Sequence, residues 1–253
     1  MNDRILVLDP VGSGLQHLIR LPVWEECGFE IAGRTDEPDS AVRTMLRRTF
    51  DLLLCIHRPS GETTVQVLSR LHRKAPEIPV LVISTGDDSA CMRQCFLFGA
   101  VDFLIEPLGD ETLREVLLRL SPLLDRRIMN EEYAQALHLS LTALHEHDAP
   151  APLLEKLSVL LEKCQDTAVT TEIAAEFFGF NRDYFTRYFK RRTGMTFSEF
   201  HRGFMIEYAK LLLSSGHFKV QEVSDILGLS SADYFTRIFK KHTGKTPSEF
   251  KRL

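Results

Sequence analysis

The chain has 253 residues, of which 44% are hydrophobic and 26% are charged, and its net charge at pH 7 is −4. This length predicts two domains, each able to bury its own core, and the composition is typical of a soluble globular protein. No apolar run approaches the roughly 20 residues that span a bilayer, and the acidic start MNDRILVLDP does not resemble a signal peptide. We therefore expect a cytoplasmic protein with no membrane partner.

The charge is unevenly distributed along the chain. Residues 1–150 carry 15 basic and 23 acidic residues, a net charge of −8, whereas residues 151–253 carry 16 and 12, a net charge of +4. A basic second half favours a polyanionic partner for that half.

The spacing of cysteine and histidine residues along the sequence does not match a metal-binding pattern. The five cysteines lie mostly in apolar segments, as expected for buried free thiols in a reducing compartment. Cys91 and Cys95 are one helical turn apart, but no neighbouring His or Cys along the chain completes a metal site. His138, His145 and His147 also lack a ligand spacing, so we predict neither a metal nor a cofactor.

The first 120 residues alternate apolar strands with amphipathic helices. Strands are predicted at 4–9, 29–33, 51–56, 80–84 and 101–105, and helices near 13–27, 38–49, 62–74, 87–98 and 109–120. Strands that are apolar throughout and separated by helices predict a parallel sheet covered on both faces. The order fits an α/β domain of the flavodoxin-like (βα)5 type.

A connecting segment is predicted for residues 121–150. Ser121 and Pro122 suit the N-cap and first turn of a new helix that extends to about His145. Its apolar stripe contains Leu123, Leu124, Ile128, Leu137, Leu141 and Leu144. The stripe either packs on its own domain or pairs with the same helix of a second copy, and HDAPAP (147–152) is predicted to be a short linker.

From Leu153 onward the pattern is entirely helical, with helices predicted near 153–164, 170–178, 182–193, 197–214, 219–227, 231–242 and 247–252. Within them the stretch DYFTRYFKRRTGMTFSEFHR (183–202) returns fifty residues later as DYFTRIFKKHTGKTPSEFKR (233–252), with 14 of 20 positions identical. In each copy two phenylalanines one turn apart predict a buried stripe, Thr-Gly predicts the helix end, and a Thr-x-x-Glu capping box predicts the next helix start.

A second short helix precedes each copy, at 170–180 and 219–229. The small residues Ala175 and Ser224 lie four positions before Gly179 and Gly228, as expected at a close helix crossing before a tight turn. We therefore predict two helix-turn-helix motifs, in which the second helix enters the major groove.

The residues predicted to contact DNA lie on the polar faces of the two second helices. They are Arg182, Asp183, Thr186, Arg187, Lys190 and Arg191 in the first copy and Ser231, Ala232, Asp233, Thr236, Arg237, Lys240 and Lys241 in the second. Thr or Ala can contact a thymine methyl, Arg can bind guanine and Asp can accept from cytosine. Lys190, Arg191, Lys240 and Lys241 lie further along and should contact phosphates.

These motifs resemble the DNA-binding domain of AraC/XylS-family transcription regulators. The resemblance rests on YFTRYFKRRTG with FSEF, on AKLLL (209–213) and on EVSDILGLSSADYFTRIFKKHTGKTPSEFKR. It implies an all-α module of seven helices over residues 151–253 that binds double-stranded promoter DNA, with RNA polymerase as a further partner. Met205 departs from the arginine that the family often has there.

Residues 1–120 resemble the receiver domain of response regulators, through LVLDP, FDLLLCI, IPVLVIST and GAVDFLIEP. The family needs two acidic residues after its first strand, an aspartate after its third and a lysine before a proline after its fifth. Here Pro10 follows Asp9, the third strand ends Cys55-Ile56-His57, and Glu106 replaces the lysine. The degenerate pocket comprises Asp9, Pro10, Cys55, Ile56, Ser84 and Glu106.

The resemblance therefore predicts a pseudo-receiver that is not phosphorylated, and no enzyme activity. It implies a homodimer through the face around Arg93, Phe103 and Arg114, although Asp9, Ser84 and Glu106 could instead line a pocket for another ligand or partner. The predicted function is transcription regulation through sequence-specific DNA binding. The alternative is an adaptor of a signalling pathway that acts through protein contacts and binds DNA weakly.

Overall fold

The computed structural model describes residues 2–10, 12, 16–47, 49–59, 63–165, 169–229 and 231–251. The chain forms two compact units, here called the N-terminal unit (residues 1–127) and the C-terminal unit (residues 128–253). The predicted limits of a separate connecting segment, 121–150, stay a prediction. Over the described ranges, no helix combines the length and the apolar character that a membrane crossing requires.

The N-terminal unit contains a parallel five-stranded sheet, as predicted. Its strands are β1 (Asp3–Leu8), β2 (Phe29–Thr35), β3 (Leu52–His57), β4 (Val80–Ser84) and β5 (Ala100–Ile105), in the order β2-β1-β3-β4-β5. Every residue of β3 and β4 is buried, because helices cover both faces of the sheet. Alternate residues of β1 accordingly pack in two cores, Ile5 and Val7 on one face and Leu6 and Leu8 on the other.

The helices of this unit are α1 (Gln16–Ile19), α2 (Val23–Glu26), α3 (Pro38–Leu46), α4 (Thr63–Lys74), α5 (Ser89–Leu97) and the start of α6 (Asp110–Glu146). One helix predicted at 13–27 is instead two short ones, because Pro22 has no N–H to continue the α1 hydrogen-bond ladder. Parts of three predicted helices, at residues 13–15, 48 and 62, lie outside the described residues.

Helix α6 runs without interruption through Pro122, so the predicted helix start at Ser121-Pro122 is wrong. A proline inside a helix removes one backbone hydrogen bond and costs about 3 kcal/mol. Leu117, Leu120 and Leu124 offset this cost, because they bury the turns on both sides of the proline in one core.

The apolar stripe of α6 mostly packs within its own units. Leu124 is buried in the core of the N-terminal unit, and Ile128, Leu137 and Leu144 are buried in the core of the C-terminal unit, where Leu141 packs partly buried. Leu123, which is 57% exposed, is the exception. The sequence left open whether this stripe packs on its own domain or pairs with a second copy. Packing within the chain is correct for five of the six residues.

Every regular element described in the C-terminal unit is helical, as predicted. After α6 come α7 (Ala151–Lys163), α8 (Thr171–Phe178), α9 (Arg182–Thr193), α10 (Phe197–Ser215), α11 (Val220–Ile226), α12 (Ala232–Thr243) and α13 (Pro247–Phe250). Residue 252, the end of the last predicted helix, lies outside the described residues. One hydrophobic core joins these helices, so both repeat copies belong to a single folded body.

Candidate nucleic-acid interface

Each repeat copy is a pair of short helices joined by a tight turn. Helix α8 ends at Gly179, whose φ of 75° is left-handed, and the side chain of Asn181 then caps α9 by accepting a 2.8 Å hydrogen bond from the backbone N–H of Tyr184. In the second copy Ser231 caps α12 in the same way, accepting from Tyr234 N at 3.2 Å. Local chemistry thus fixes where both second helices begin.

Both second helices also end alike. Helix α9 stops at Gly194 and α12 at Gly244, and a capping box follows each of them. Thr196 N donates to Glu199 Oε2 at 2.7 Å, and Thr246 N donates to Glu249 Oε2 at 2.7 Å. These backbone hydrogen bonds stabilise the charged carboxylates and hold the pKa of each glutamate below its usual value.

The predicted aromatic stripe faces inward in both copies. Phe185 and Phe189 on α9 and Phe235 and Phe239 on α12 are fully buried. The small side chain at each helix crossing is also buried, Ala175 in the first copy and Ser224 in the second. The polar face of each second helix is consequently turned to solvent.

Most residues predicted to contact DNA are exposed on that face. Exposed positions are Arg182, Asp183, Arg187, Lys190 and Arg191 on α9, and Ser231, Asp233, Arg237, Lys240 and Lys241 on or next to α12. The small side chains are half-buried, namely Thr186, Ala232 and Thr236. The cationic groups therefore extend furthest from each helix, and the short side chains lie closest to its axis.

Several of these groups already have partners in the first copy. Arg182 Nε lies 2.8 Å from Glu172 Oε1, and the Thr186 hydroxyl donates to the Arg182 carbonyl at 2.9 Å. Arg187 Nε donates to the Asp183 carbonyl at 3.3 Å, which leaves the terminal nitrogens of that guanidinium available for a bidentate contact. In the second copy Arg237 lies over the Tyr234 ring, 5.4 Å from its centroid.

Two tyrosines on this face were missed by the sequence reasoning. Tyr184 and Tyr234 occupy the third position of α9 and α12, and they are 48% and 41% exposed. The signal that could have found them was their repetition at the same offset, next to the buried phenylalanines. Each adds an aromatic face and a hydroxyl donor beside the predicted DNA contacts.

Helix α10 separates the two copies and is anchored by residues of one face, including Phe204, Tyr208 and Leu212. Met205, the departure from the family pattern, is partly buried against the same core. Its apolar side chain therefore packs where an arginine would have offered a charge.

The predicted degenerate pocket of the N-terminal unit holds a different charge arrangement from the one that phosphorylated receiver domains use. Asp9 is 2% exposed, and its Oδ2 lies 2.5 Å from Arg34 Nη2 of β2. Arg34 was not predicted, because only the pairing of β1 with β2 brings it to Asp9. A guanidinium thus balances the carboxylate that would otherwise attract a metal ion.

The other predicted pocket residues are also engaged or covered. The Ser84 hydroxyl donates to the Gly86 carbonyl at 2.6 Å, and Glu106 Oε1 lies 3.6 Å from His17 Nε2. Cys55 and Ile56 are buried, and burial raises the pKa of the Cys55 thiol well above its usual value. Pro10 is half-buried.

One of the three residues predicted to lie on a dimer face is buried. Arg93 is exposed and Arg114 pairs with Glu26, but Phe103 is 6% exposed in the core beneath α5. The reason is strand alternation: Phe103 lies on the face of β5 that α5 covers. Two large apolar side chains on the same helix as Arg93, Phe96 and Leu97, are exposed.

Comparison with known proteins locates a family match in the C-terminal unit. Residues 174–253 match the family described as "Helix-turn-helix domain". The matched range contains α9 to α13 and all but the first turn of α8.

One curated relative is the transcriptional regulatory protein MalR of Bacillus subtilis (strain 168), 27% identical over 90 residues that make up 36% of this chain. The chain spans 38% of the length of that relative. Solved structures that are similar include the C-terminal domain of the two-component response regulator yesN of Fusobacterium nucleatum, at 24% identity and a TM-score of 0.38, covering 40% of this chain and 99% of that one. Another is the REC domain of the response regulator AraT of Geobacillus stearothermophilus, at 20% identity and a TM-score of 0.41, covering 50% and 98%.

Proposed function

We propose that the protein is a transcription regulator of the AraC type that binds double-stranded promoter DNA sequence-specifically through residues 174–253, the range that matches a helix-turn-helix family. The observation that carries the proposal is the duplicated polar face: α9 and α12 each bury two phenylalanines and expose arginine and lysine on the opposite side. A single basic helix is common in proteins and is weak evidence for DNA binding. Two basic helices that are capped in the same way and packed on one core support the view that both bind the same ligand.

In this proposal α9 and α12 are recognition helices that enter the major groove with their first residues at the base edges. Arg187 and Arg237 are placed to bind guanine through two nitrogens, and Asp183 and Asp233 to accept from cytosine. Lysines in the last turns, such as Lys190 and Lys240, lie where they would contact phosphates and fix the register.

Helix α10 supports binding to two successive groove segments. Its 19 residues give a length of about 28 Å. This is comparable to the spacing of about 34 Å between major-groove segments one helical turn apart. A single chain would then contact the DNA twice, as a dimer of single helix-turn-helix proteins does.

The N-terminal unit acts in this proposal as a pseudo-receiver without phosphoryl chemistry. The third strand ends Cys55-Ile56-His57, where no carboxylate can accept the group. Arg34 balances Asp9, and Glu106 places negative charge where the family has a lysine. Arg34 thereby disfavours an incoming Mg²⁺, and Glu106 disfavours an incoming phosphoryl anion.

Dimerisation is the role we propose for this unit. Phe96 and Leu97, on the same helix as Arg93, expose 48% and 69% of their surface, which is more apolar surface than isolated exposed residues provide. Two linked DNA-binding domains would bind with higher overall affinity than one.

A salt titration tests the DNA-binding proposal. Binding of the full-length chain to promoter duplexes from its own genome and to shuffled duplexes of equal composition is measured from low to physiological salt. Contacts to several phosphates would make log affinity fall linearly with log salt, with a slope of about −0.9 per contact. A promoter duplex should also be bound more tightly than the shuffled one. Affinity that ignores both salt and sequence would favour the adaptor alternative.

Acetyl phosphate with Mg²⁺ tests the pseudo-receiver proposal separately. We expect no acid-labile phosphoryl adduct by mass spectrometry, because no carboxylate stands at the acceptor position. A stoichiometric adduct on the N-terminal unit would contradict this part and leave the DNA-binding proposal intact.

A further inference from the structure

A buried polar cluster lies where β3 ends, and the family resemblance does not account for it. Its centre is His57, which is 1% exposed. The Nδ1 atom of this ring lies 3.2 Å from Thr64 Oγ1, and its Nε2 atom lies 3.2 Å from Asp88 Oδ2. Both ring nitrogens are thus held, one by a hydroxyl and one by a carboxylate.

A thiol completes the cluster. The Sγ atom of Cys91 lies 3.7 Å from His57 Nδ1, and the Sγ atom of Cys95 lies 3.7 Å from that of Cys91. Asp88 is the N-cap of α5, and its Oδ1 accepts a 2.9 Å hydrogen bond from the backbone N–H of Cys91. This cap holds the carboxylate and the thiol beside the same imidazole, the carboxylate at Nε2 and the thiol at Nδ1.

These distances suit coordination of one ion. One ligand atom each from His57, Asp88 and Cys91 lie within 4.8 Å of one another. Bond lengths of about 2.0–2.3 Å place the ligand atoms of a tetrahedral zinc site about 3.3–3.7 Å apart. The 3.2 Å between His57 Nε2 and Asp88 Oδ2 is close to this range. An ion bound at Nε2 would then need the Cys91 sulfur, now 3.7 Å from Nδ1, to turn towards it.

The kinds of donor atom indicate the class of ion. Calcium and magnesium prefer sites built from oxygen. A combination of imidazole nitrogen, thiolate sulfur and carboxylate oxygen suits Zn²⁺ and similar divalent transition-metal ions. We propose that His57, Asp88 and Cys91 bind one divalent transition-metal ion of the zinc class.

The surroundings support this site. Thr64, which is 3% exposed, lies next to Nδ1, and a partner at that nitrogen orients a histidine that binds metal through Nε2 and fixes its tautomer. Asp88 keeps 19% of its side chain exposed, which provides an entry for the ion.

Cobalt titration of the full-length, untagged chain tests this inference, because Co²⁺ replaces Zn²⁺ and gives visible absorption. After removal of metals by chelation, we expect saturation at one Co²⁺ per chain, with a near-ultraviolet thiolate-to-cobalt charge-transfer band. One equivalent of Zn²⁺ should abolish the band. Absence of saturable absorption in the folded chain would overturn the proposal.

Two substitutions locate the site. Cys91→Ser should eliminate the charge-transfer band, since the ligand sulfur is lost. Asp88→Asn keeps a good helix N-cap, so the fold is preserved, but it should weaken Co²⁺ affinity at least about tenfold. Persistence of the wild-type band and affinity in both variants would also overturn the proposal.

The chain offers matched controls. Cys27 and Cys164 are half-buried cysteines outside the cluster, so Cys27→Ser and Cys164→Ser should retain the cobalt band. Fluorescence of Trp24, the single tryptophan, reports whether the N-terminal unit of each variant is folded.

Discussion

The two helix-turn-helix copies share their backbone signals and differ in the side chains that fill them. The caps, the terminal glycines and the buried phenylalanine pair recur in both. The first copy then packs Phe178 and Phe197 where the second has Leu227 and Pro247. A few capping groups and one aromatic pair are therefore enough to specify this helical hairpin. The remaining core positions accept any apolar side chain of suitable size.

The outer faces differ as well. The exposed Arg182 of the first copy corresponds to the half-buried Ala232 of the second. The turn lengths also differ: one residue, Phe180, separates Gly179 from the capping residue in the first copy, and two residues separate the equivalent glycine from the capping residue in the second. Helices that present different side chains bind different base pairs. We therefore expect the two copies to recognise unlike DNA segments.

The largest expected effect compares the aromatic packing of the two copies. Phe189→Ala and Phe239→Ala should each lower the free energy of unfolding by about 3–5 kcal/mol, because each leaves a cavity. The loss should be greater for Phe189, whose ring has three aromatic neighbours with centroids 5.6–5.9 Å away, whereas two rings lie at 5.5 Å from Phe239.

Urea unfolding followed by far-ultraviolet circular dichroism measures this difference. The fluorescence transition of Trp24 serves as the control, because that residue is buried in the N-terminal unit. A larger loss for Phe239→Ala would contradict the inference that the first copy depends more on aromatic packing than the second.

The next effect concerns a histidine that the second copy lacks. Burial lowers the pKa of His201 to about 4, and Lys251 stands at the equivalent position. The unfolded chain, with a histidine pKa of about 6.5, binds this proton more readily than the folded chain. Stability from this group is therefore complete above pH 6.5 and is lost as the pH falls towards 4, by about 3 kcal/mol in total.

Substitution isolates that contribution. His201→Phe keeps an aromatic ring beside Phe197 and Phe204 and removes the titration. The free energy of unfolding, measured by urea between pH 7 and 5, should then decline less steeply than in the wild type. Identical slopes would show that burial does not shift the His201 pKa.

A smaller effect tests the two recognition faces against each other. Arg187→Ala and Arg237→Ala should each weaken promoter binding by about 1–3 kcal/mol, because each removes a bidentate base contact. Arg73→Ala, which removes an exposed arginine from the N-terminal unit, is the matched control.

Fluorescence anisotropy on a set of single-base operator variants gives the measurement. Each arginine substitution should relax the preference at a different base pair. Unchanged affinity in both variants would remove α9 and α12 as recognition helices.

The smallest effect is a reciprocal exchange at the helix crossing. The hydroxyl of Ser224 is buried with no hydrogen-bond partner among the described residues, and Ala175 takes its place in the first copy. Ser224→Ala should raise the free energy of unfolding by about 1 kcal/mol, and Ala175→Ser should lower it by a similar amount. Thermal unfolding of both variants checks the signs. Destabilisation by Ser224→Ala would mean that this hydroxyl has a partner in solution.

The sequence predicted the elements that depend on local chemistry. The five strands, the caps at Thr196 and Thr246 and the inward phenylalanines follow from residues within a few positions of one another, so their patterns can be recognised without tertiary structure. The exposure of the predicted DNA contacts follows from the same periodicity. The identity of the bases they contact stays a prediction.

Tertiary packing decided the rest, because the groups concerned are distant along the chain. Burial of Leu120 and Leu124 stabilises α6 on both sides of Pro122, a residue whose local sequence predicts the start of a new helix. The order of the strands brings Arg34 to Asp9. It also brings His57 to Cys91, 34 residues away, and creates a donor cluster that no stretch of sequence contains. Local patterns determined which helices and strands form, and long-range contacts determined which chemical groups meet.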